Sequence, residues 1–301
     1  MYSSSFYKHG AWSRLKGRYL PMFLAAVIAM LPTYIISQIS AVLDRVMPDA
    51  AAIGILVAVA LQIFVIGIFD IGFIRFLLRS DTAENGELKN YDFNLLLSGY
   101  TNNFKNTLKI TVLRELKLVA WAVVAFIPMI AAIVFIAVSV TDEGALYLYN
   151  AVYNVLINPT VESMTELNSF LDMSLPYLGI FSTVYLVLTV IASVPLIRKS
   201  YEYQMIPMIV ADDADMPCKS AFKRTRDIMT GFRLRYFFIQ FSFIMYNAII
   251  VLLAFITNSP LVICVATAAL MPYQYMTYLE FYRQRNEVIE HNISTYGQQE
   301  L

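Results

Sequence analysis

The stretch from Tyr236 to Leu279, YFFIQFSFIMYNAIIVLLAFITNSPLVICVATAALMPYQYMTYL, runs for 44 residues without a Lys, Arg, Asp or Glu. A single helix of that length would be about 66 Å long, roughly twice the ~30 Å hydrocarbon core of a bilayer. The segment therefore has to turn. Thr257-Asn258-Ser259-Pro260 is polar and ends in proline, which marks the turn and leaves an apolar helix on either side. An open turn within hydrocarbon would strand unpaired backbone amides, so this one belongs at a membrane face.

Four more apolar runs precede it. Between Arg18 and Asp44 lie 25 uncharged residues. Pro21 falls in the first turn, where a missing N–H is harmless, and Pro32 predicts a kink. Tyr19 to Leu43 reads as a retained helix rather than a cleaved leader, because the charged region before it is long and another apolar run follows closely. A second span is predicted from Ala50 to about Leu78, with Pro48 and Asp49 as its start signal. The third runs from Leu118 to Val140 with Pro128 at its middle. The fourth lies between Asp172 and Arg198, with Pro176 near its start and Pro195 near its end. The expected fold is all-α: a polytopic membrane helix bundle of about six transmembrane helices, with short interfacial helices.

Composition agrees. Of 301 residues, 58% are hydrophobic and 15% charged, with a mean hydropathy of +0.60. A soluble domain carries roughly 25% charged residues. In a six-span layout, 21 of the 22 Lys and Arg fall on one side and Arg45 alone on the other. The long segment Thr141 to Asp172 on that other side holds five acids (Asp142, Glu143, Glu162, Glu166 and Asp172) and no base. The positive-inside bias then predicts a multi-pass protein of the cell membrane with both termini in the cytoplasm.

Several function classes are excluded or weakened. A net charge of zero argues against nucleic acid as a partner, because phosphate-backbone binding needs a concentrated basic face. The two cysteines, Cys218 and Cys264, are expected in the cytosol and within a helix, so a disulfide is not predicted. The two histidines, His9 and His291, stand near opposite ends of the sequence, which leaves little for a His-based metal site or triad. No zinc-protease helix, phosphate loop or nucleophile elbow is present. No catalytic residue, metal or cofactor is assigned.

The segments outside the spans carry helical signals. Ser3 to Arg18 reads as an amphipathic helix with Phe6, Trp12 and Leu15 as lipid anchors and Lys8, Arg14, Lys16 and Arg18 at headgroup level; a disordered basic arm is the weaker reading. Asn85-Gly86 marks a turn. Phe93 to Tyr100 reads as a short interfacial helix. From Phe104 a helical stripe of Leu108, Val112 and Leu116, opposed by Lys105, Lys109 and Arg114, leads into the third span. The fourth span is expected to continue through Tyr201 to Met205. After the acidic turn Ala211 to Pro217, a helix is predicted from Cys218 to Thr230. Ala221, Phe222, Thr225 and Met229 face the bundle, Lys219, Lys223, Arg224 and Arg226 face outward, and Gly231 is the stop. In the outer segment one short interfacial helix is expected before Asn158-Pro159, and a second around Val161 to Leu171. Residues 1–285 form a single membrane domain on this reading, and 286–301 a flexible cytoplasmic tail.

Several segments resemble an uncharacterised family of bacterial integral membrane proteins, DUF975. They are Ala11-Trp12-Ser13-Arg14-Leu15-Lys16-Gly17-Arg18, then Phe93 to Tyr100, then Val194-Pro195-Leu196-Ile197-Arg198-Lys199-Ser200-Tyr201 with its continuation to Asp212. Ser220-Ala221, Met229-Thr230-Gly231 and Met271-Pro272-Tyr273 through Phe281-Tyr282 follow in the family's order. The resemblance touches most of the chain. It departs where Leu196 follows Pro195 in place of the family's Pro-Gly pair, which implies a stiffer segment, and where the outer segment is longer. What it implies is the fold and the membrane location; it implies no reaction.

Two groups of residues merit functional weight. Asp70, Glu202, Asp212, Asp213 and Asp215 form a possible polar functional site, since membrane carboxylates are costly and clustered oxygens suit hard cations. The structural alternative is that Asp70 pairs with a base and that Asp212, Asp213 and Asp215 cap a turn or pair with Arg198, Arg224 or Arg226. Arg198, Lys199, Lys223, Arg224 and Arg226 are possible contacts for anionic lipid headgroups. The favoured function is a non-enzymatic scaffold, assembly or envelope-stress component whose partners are membrane lipids or membrane proteins. A small-solute or ion transporter or channel is the alternative, with Pro32, Pro128 and Pro195 opening a cavity. A lipid-modifying enzyme is the third, and only Glu202 to Asp215 would serve it.

Overall fold

The computed structural model describes residues 3–46, 57, 60–81, 91–139, 149–150, 152–155, 157 and 160–297, and every regular element among them is helical. In chain order these are α1 (Ser4–Leu15), α2 (Tyr19–Val46), a π-helical turn (Gln62–Ile66) passing into α3 (Gly67–Asp81), and a 3-10 turn (Phe93–Leu97) passing into the single turn α4 (Ser98–Thr101). Then follow α5 (Phe104–Ser139), α6 (Val161–Tyr203), α7 (Ile206–Asp212), α8 (Cys218–Met229), α9 (Arg233–Phe241), α10 (Ile244–Thr257) and α11 (Pro260–Gly297).

Four helices are long and apolar enough to cross a membrane, in the stretches Tyr19–Ile39, Phe104–Val134, Thr183–Asp212 and Pro260–His291. A fifth results if α9 and α10, which bend by 43° at their junction, count as one span. The expectation of about six is therefore corrected to four or five among the described residues. Of the predicted span from Ala50 to about Leu78, residues 50–56, 58 and 59 lie outside them and the rest is the π-helical turn and most of α3; the Asn85-Gly86 turn and residues 141–148 of the outer segment also lie outside.

The turn that decides the fold is where the sequence puts it. Asn258 adopts a left-handed conformation, φ 45°, and its N–H closes the last turn of α10 on Ala254. Pro260 opens α11, where its missing N–H costs no helical bond. Gly231, at φ 76°, likewise follows α8.

The chain divides into two compact units. The first comprises residues 1–116 and 201–301 and holds most of the buried side chains. Met22, Ala25, Ala26 and Ala29 recur at i, i+3, i+4 and i+7 on α2 and are buried, and α2 packs on α11. Three alanines on that face let the backbones approach closely, as membrane helix pairs favour. The Tyr19 hydroxyl donates to the Ala269 carbonyl across the same seam. Along α11 an aromatic row follows: Phe243 meets Tyr273, Tyr236 meets Tyr278 and Phe281, and Phe73 meets Tyr275, with centroid separations of 5.2–5.5 Å. Such edge and tilted contacts add to the area they bury.

Helix α1 lies on α11 rather than standing apart as an arm. Tyr7, Ala11 and Leu15, spaced i, i+4, i+8, are its buried residues. Tyr7 donates to Gln284 Oε1 at 2.6 Å, and Arg14 pairs with Glu280 at 2.5 Å. Leu15 is thus a core residue and not a lipid anchor, whereas Phe6 and Trp12 remain half exposed. Lys8 donates to the carbonyl of Ser242 at 2.9 Å. In an unbroken helix that carbonyl would accept from residue 246, so Lys8 occupies the bond given up at the bend between α9 and α10.

The second unit comprises residues 117–200. It contains the distal part of α5 and most of α6, with apolar side chains exposed around them. Val119, Val123, Ile127 and Ile133 on α5 are 54–57% exposed, and Leu186, Val190, Ile191 and Val194 on α6 are 57–65% exposed. Helices apolar on all faces are those of membrane spans. The stretch Val161 to Leu171, expected as a separate interfacial helix, is instead the beginning of α6, which runs on through Pro195 to Tyr203.

Candidate functional site

The charged chemistry of the first unit gathers around α7 and the part of α11 that continues past Leu279. Ile206, Met208, Ile209, Val210 and Ala211 of α7 are all buried. A short helix sunk in the protein has carbonyls at its C-terminal end with no helical partner. Arg75 supplies the donors. Its Nη2 reaches the Val210 carbonyl and its Nε the Ala211 carbonyl, both at 2.9 Å. Nη1 reaches the Ser98 carbonyl at 3.2 Å. The guanidinium is 4% exposed, and a cation at a helix C-terminus also meets the negative end of the helix dipole.

Beyond α7 the acidic turn is organised by hydrogen bonds. Asp213 Oδ1 accepts from the Asp215 N–H at 2.9 Å. Asn103 Nδ2 donates to Asp215 Oδ1 at 2.8 Å. Asn106 Nδ2 donates to the carbonyls of Ala214 and Met216, each at 2.9 Å. The turn is therefore docked on the start of α5, while Asp212 accepts from the Tyr282 hydroxyl at 2.8 Å. The expected partners Arg198, Arg224 and Arg226 form no ion pair with Asp212, Asp213 or Asp215 among the described residues. Neutral amides and a phenol take their place.

Glu202 is held elsewhere. Its side chain is 2% exposed and pairs with Arg233 at 3.0 Å and Arg226 at 3.6 Å. The Thr225 hydroxyl donates to its backbone carbonyl at 2.5 Å. Glu202 thus ties the end of α6 to α8 and α9. Arg224, expected to face outward, turns onto α11: its guanidinium contacts Asn286 Oδ1 at 2.7 and 3.0 Å and Glu290 at 2.8 Å. Helix α11 runs on to Gly297, so residues 286–297 of the expected tail are helical. Lys223 and Arg198 are exposed and Lys199 is half-buried. Asp70, on α3, lies near Tyr275 of α11, with Arg114 of α5 in electrostatic reach.

The structure brings one of the five predicted acids, Asp212, into a cleft. This cleft of about 530 Å³ is lined by Arg75, Leu78 and Arg79 of α3, Ala211 and Asp212 of α7, and Tyr282, Arg283, Asn286 and Glu287 of α11. The i, i+3, i+4 spacing on α3 and the i, i+4 pairs on α11 put each of those two contributions on one face. Arg79 and Glu287 are exposed, and Arg283 is half-buried beside Glu280 at 3.4 Å. Among the described residues no three His, Cys, Asp or Glu side chains are placed to hold a metal ion. Arg75, Arg79, Tyr282, Arg283 and Glu287 were missed by the sequence reading. The available signal was Arg75 itself, a charge flanked by Phe73, Ile74, Phe76 and Leu77.

The model of DUF975, a protein of unknown function, matches residues 1–288, and the chain belongs to that family. No protein of curated function and no solved structure matches it.

Proposed function

We propose that this protein is a non-enzymatic component of the cell membrane, with both termini in the cytoplasm, that scaffolds or assembles membrane partners through its charged face. One observation carries the reading. Several acids and bases are engaged in joining elements: Arg75 to α7, Glu202 to Arg226 and Arg233, Asp215 to Asn103. The parts so joined, with α1, α8 and the extension of α11, make a platform within the first unit. Platforms of this kind suit holding a partner more than turning over a substrate. Proximity labelling from a fusion to the C-terminus, in the native membrane, tests this. The reading predicts a small, reproducible set of integral membrane neighbours that is lost when Glu202→Gln loosens the platform. Labelling no different from that of an unrelated membrane protein of equal abundance contradicts it.

A second reading, a small-solute or ion transporter, draws on Asp70 of α3, whose carboxylate lies near Tyr275 of the long apolar helix α11. Intramembrane carboxylates often mark ion paths. Flux of ions or small solutes through tight proteoliposomes, abolished by Asp70→Asn, would favour that reading over the scaffold.

A further inference from the structure

The cleft between α3 and α11 is lined by both signs of charge. Arg79 and Arg283 supply cations from two different helices, while Asp212 and Glu287 supply carboxylates. On α11 the sign reverses within one turn, from Arg283 to Glu287, a rise of about 6 Å. The floor is built rather than incidental. Arg75 fixes the Val210 and Ala211 carbonyls from below, and the Tyr282 hydroxyl orients the Asp212 carboxylate.

A simple anion in this cleft would face the carboxylates of Asp212 and Glu287. A simple cation would face Arg79 and Arg283. A ligand with an anionic end and an ammonium end, joined by a short tether, satisfies both. Arginine's planar fork matches phosphate oxygens in particular. The volume lies within the range of roughly 300–1,000 Å³ typical of small-ligand sites. Tyr282 to Glu287 also follow directly after Leu279, the end of the last uncharged run. A bilayer crossed by Pro260 to Leu279 places its headgroups at that level.

We propose that this cleft binds a zwitterion pairing a phosphate with a primary ammonium, the chemistry of phosphoethanolamine, carried either on a lipid or on a free small molecule. The phosphate lies between Arg79 and Arg283 and the ammonium between Asp212 and Glu287. The assignment goes beyond the scaffold reading and does not depend on it.

The test uses the full chain. Native mass spectrometry from nanodiscs containing equal phosphatidylethanolamine and phosphatidylglycerol reads lipid retention. Thermal unfolding in detergent with free phosphoethanolamine or inorganic phosphate reads the soluble source. The expected result is that phosphoethanolamine, in one form or both, binds about tenfold tighter than the comparator that lacks the ammonium. Retention of the lipid identifies a headgroup, and stabilisation by the free compound alone identifies a soluble ligand. Glu287→Gln weakens phosphoethanolamine about tenfold and spares inorganic phosphate, whereas Arg79→Gln weakens both. Both side chains are exposed, so both variants keep the unliganded midpoint of the wild type; if one fails to fold, the other decides alone. Equal retention of the two lipids with no effect of the free compound overturns the proposal. So does a Glu287→Gln protein that binds phosphoethanolamine as the wild type does.

Discussion

Nε of Arg75 donates to the carbonyl oxygen of Ala211 at 2.9 Å, joining positions 136 residues apart. With the bonds to Val210 and Ser98, one side chain caps the buried helix α7 and fastens α4 beside it. Replacing Arg75 by Met leaves these carbonyls without their donor, and a buried unsatisfied group costs about 1–3 kcal/mol. Arg75→Met should therefore lower the thermal unfolding midpoint in detergent by several degrees. Arg75→Lys should recover little, because one ammonium lacks the planar fork that reaches three acceptors. Full recovery by lysine would show that only the charge matters.

Glu202 and Arg233 form the second such joint. Glu202→Gln removes the buried charge while keeping its shape. The expected loss is about 2 kcal/mol, the middle of the range for bonds to charged groups, since Arg226 and Arg233 both reach solvent. A double-mutant cycle with Arg233→Gln measures the coupling. A coupling energy near zero would mean that the two residues stabilise the fold independently.

The features legible in the sequence are those whose cause is local. Asn258 and Pro260 announce their turn because left-handed backbone and the missing N–H are properties of those residues alone. Gly231 and Pro217 bracket α8 for the same reason, and charge-free length finds α2, α5, α6 and α11. The remainder depends on partners distant in sequence. Leu15 reads as a lipid anchor until α11 covers it. Asp212 reads as a partner for arginine until Tyr282, 70 positions later, donates to it. The bend after Phe241 is hidden because Lys8, 234 residues from Ser242, satisfies the carbonyl released there.

Two glycines set the distance between α3 and the Phe93–Thr101 turns. A Cβ on Gly72 would stand 2.0 Å from the Leu96 carbonyl oxygen, and one on Gly99 would stand 2.6 Å from the Ile68 carbonyl oxygen. Both obstacles are backbone and cannot rotate away. Gly72→Ala and Gly99→Ala should each cost more than about 3 kcal/mol, beyond the usual 1–3 kcal/mol of overpacking. Size-exclusion chromatography in detergent should show loss of the monodisperse species. Gly10→Ala, whose nearest neighbour is the Glu280 carboxylate at 3.2 Å, should be far milder because that side chain can move. Wild-type elution of Gly72→Ala would refute the close approach.

Lys8 holds α1 at the α9–α10 bend by its bond to Ser242 and by its ammonium, 4.2 Å from the Phe243 ring centroid. A partly exposed cation–π contact contributes about 0.5–1 kcal/mol, and a charged hydrogen bond about 1.5 kcal/mol. Lys8→Ala should raise the open population of α1 by more than tenfold. Limited trypsinolysis at Arg14 and Lys16 should accelerate accordingly. An unchanged cleavage rate would place the anchorage of α1 entirely in Tyr7, Ala11 and Leu15.

That the long apolar helices cross a bilayer is the claim from which the rest follows, and α5 gives it the most direct test. Single cysteines are placed at Lys105, exposed at the start of α5, and at Val161, 86% exposed at the start of α6, with Cys218 and Cys264 replaced by serine. An impermeant maleimide applied to sealed vesicles of known orientation should label Lys105→Cys from the cytoplasmic side only and Val161→Cys from the opposite side only. Labelling of both positions from the same side would contradict a membrane-spanning α5 and the topology built on it.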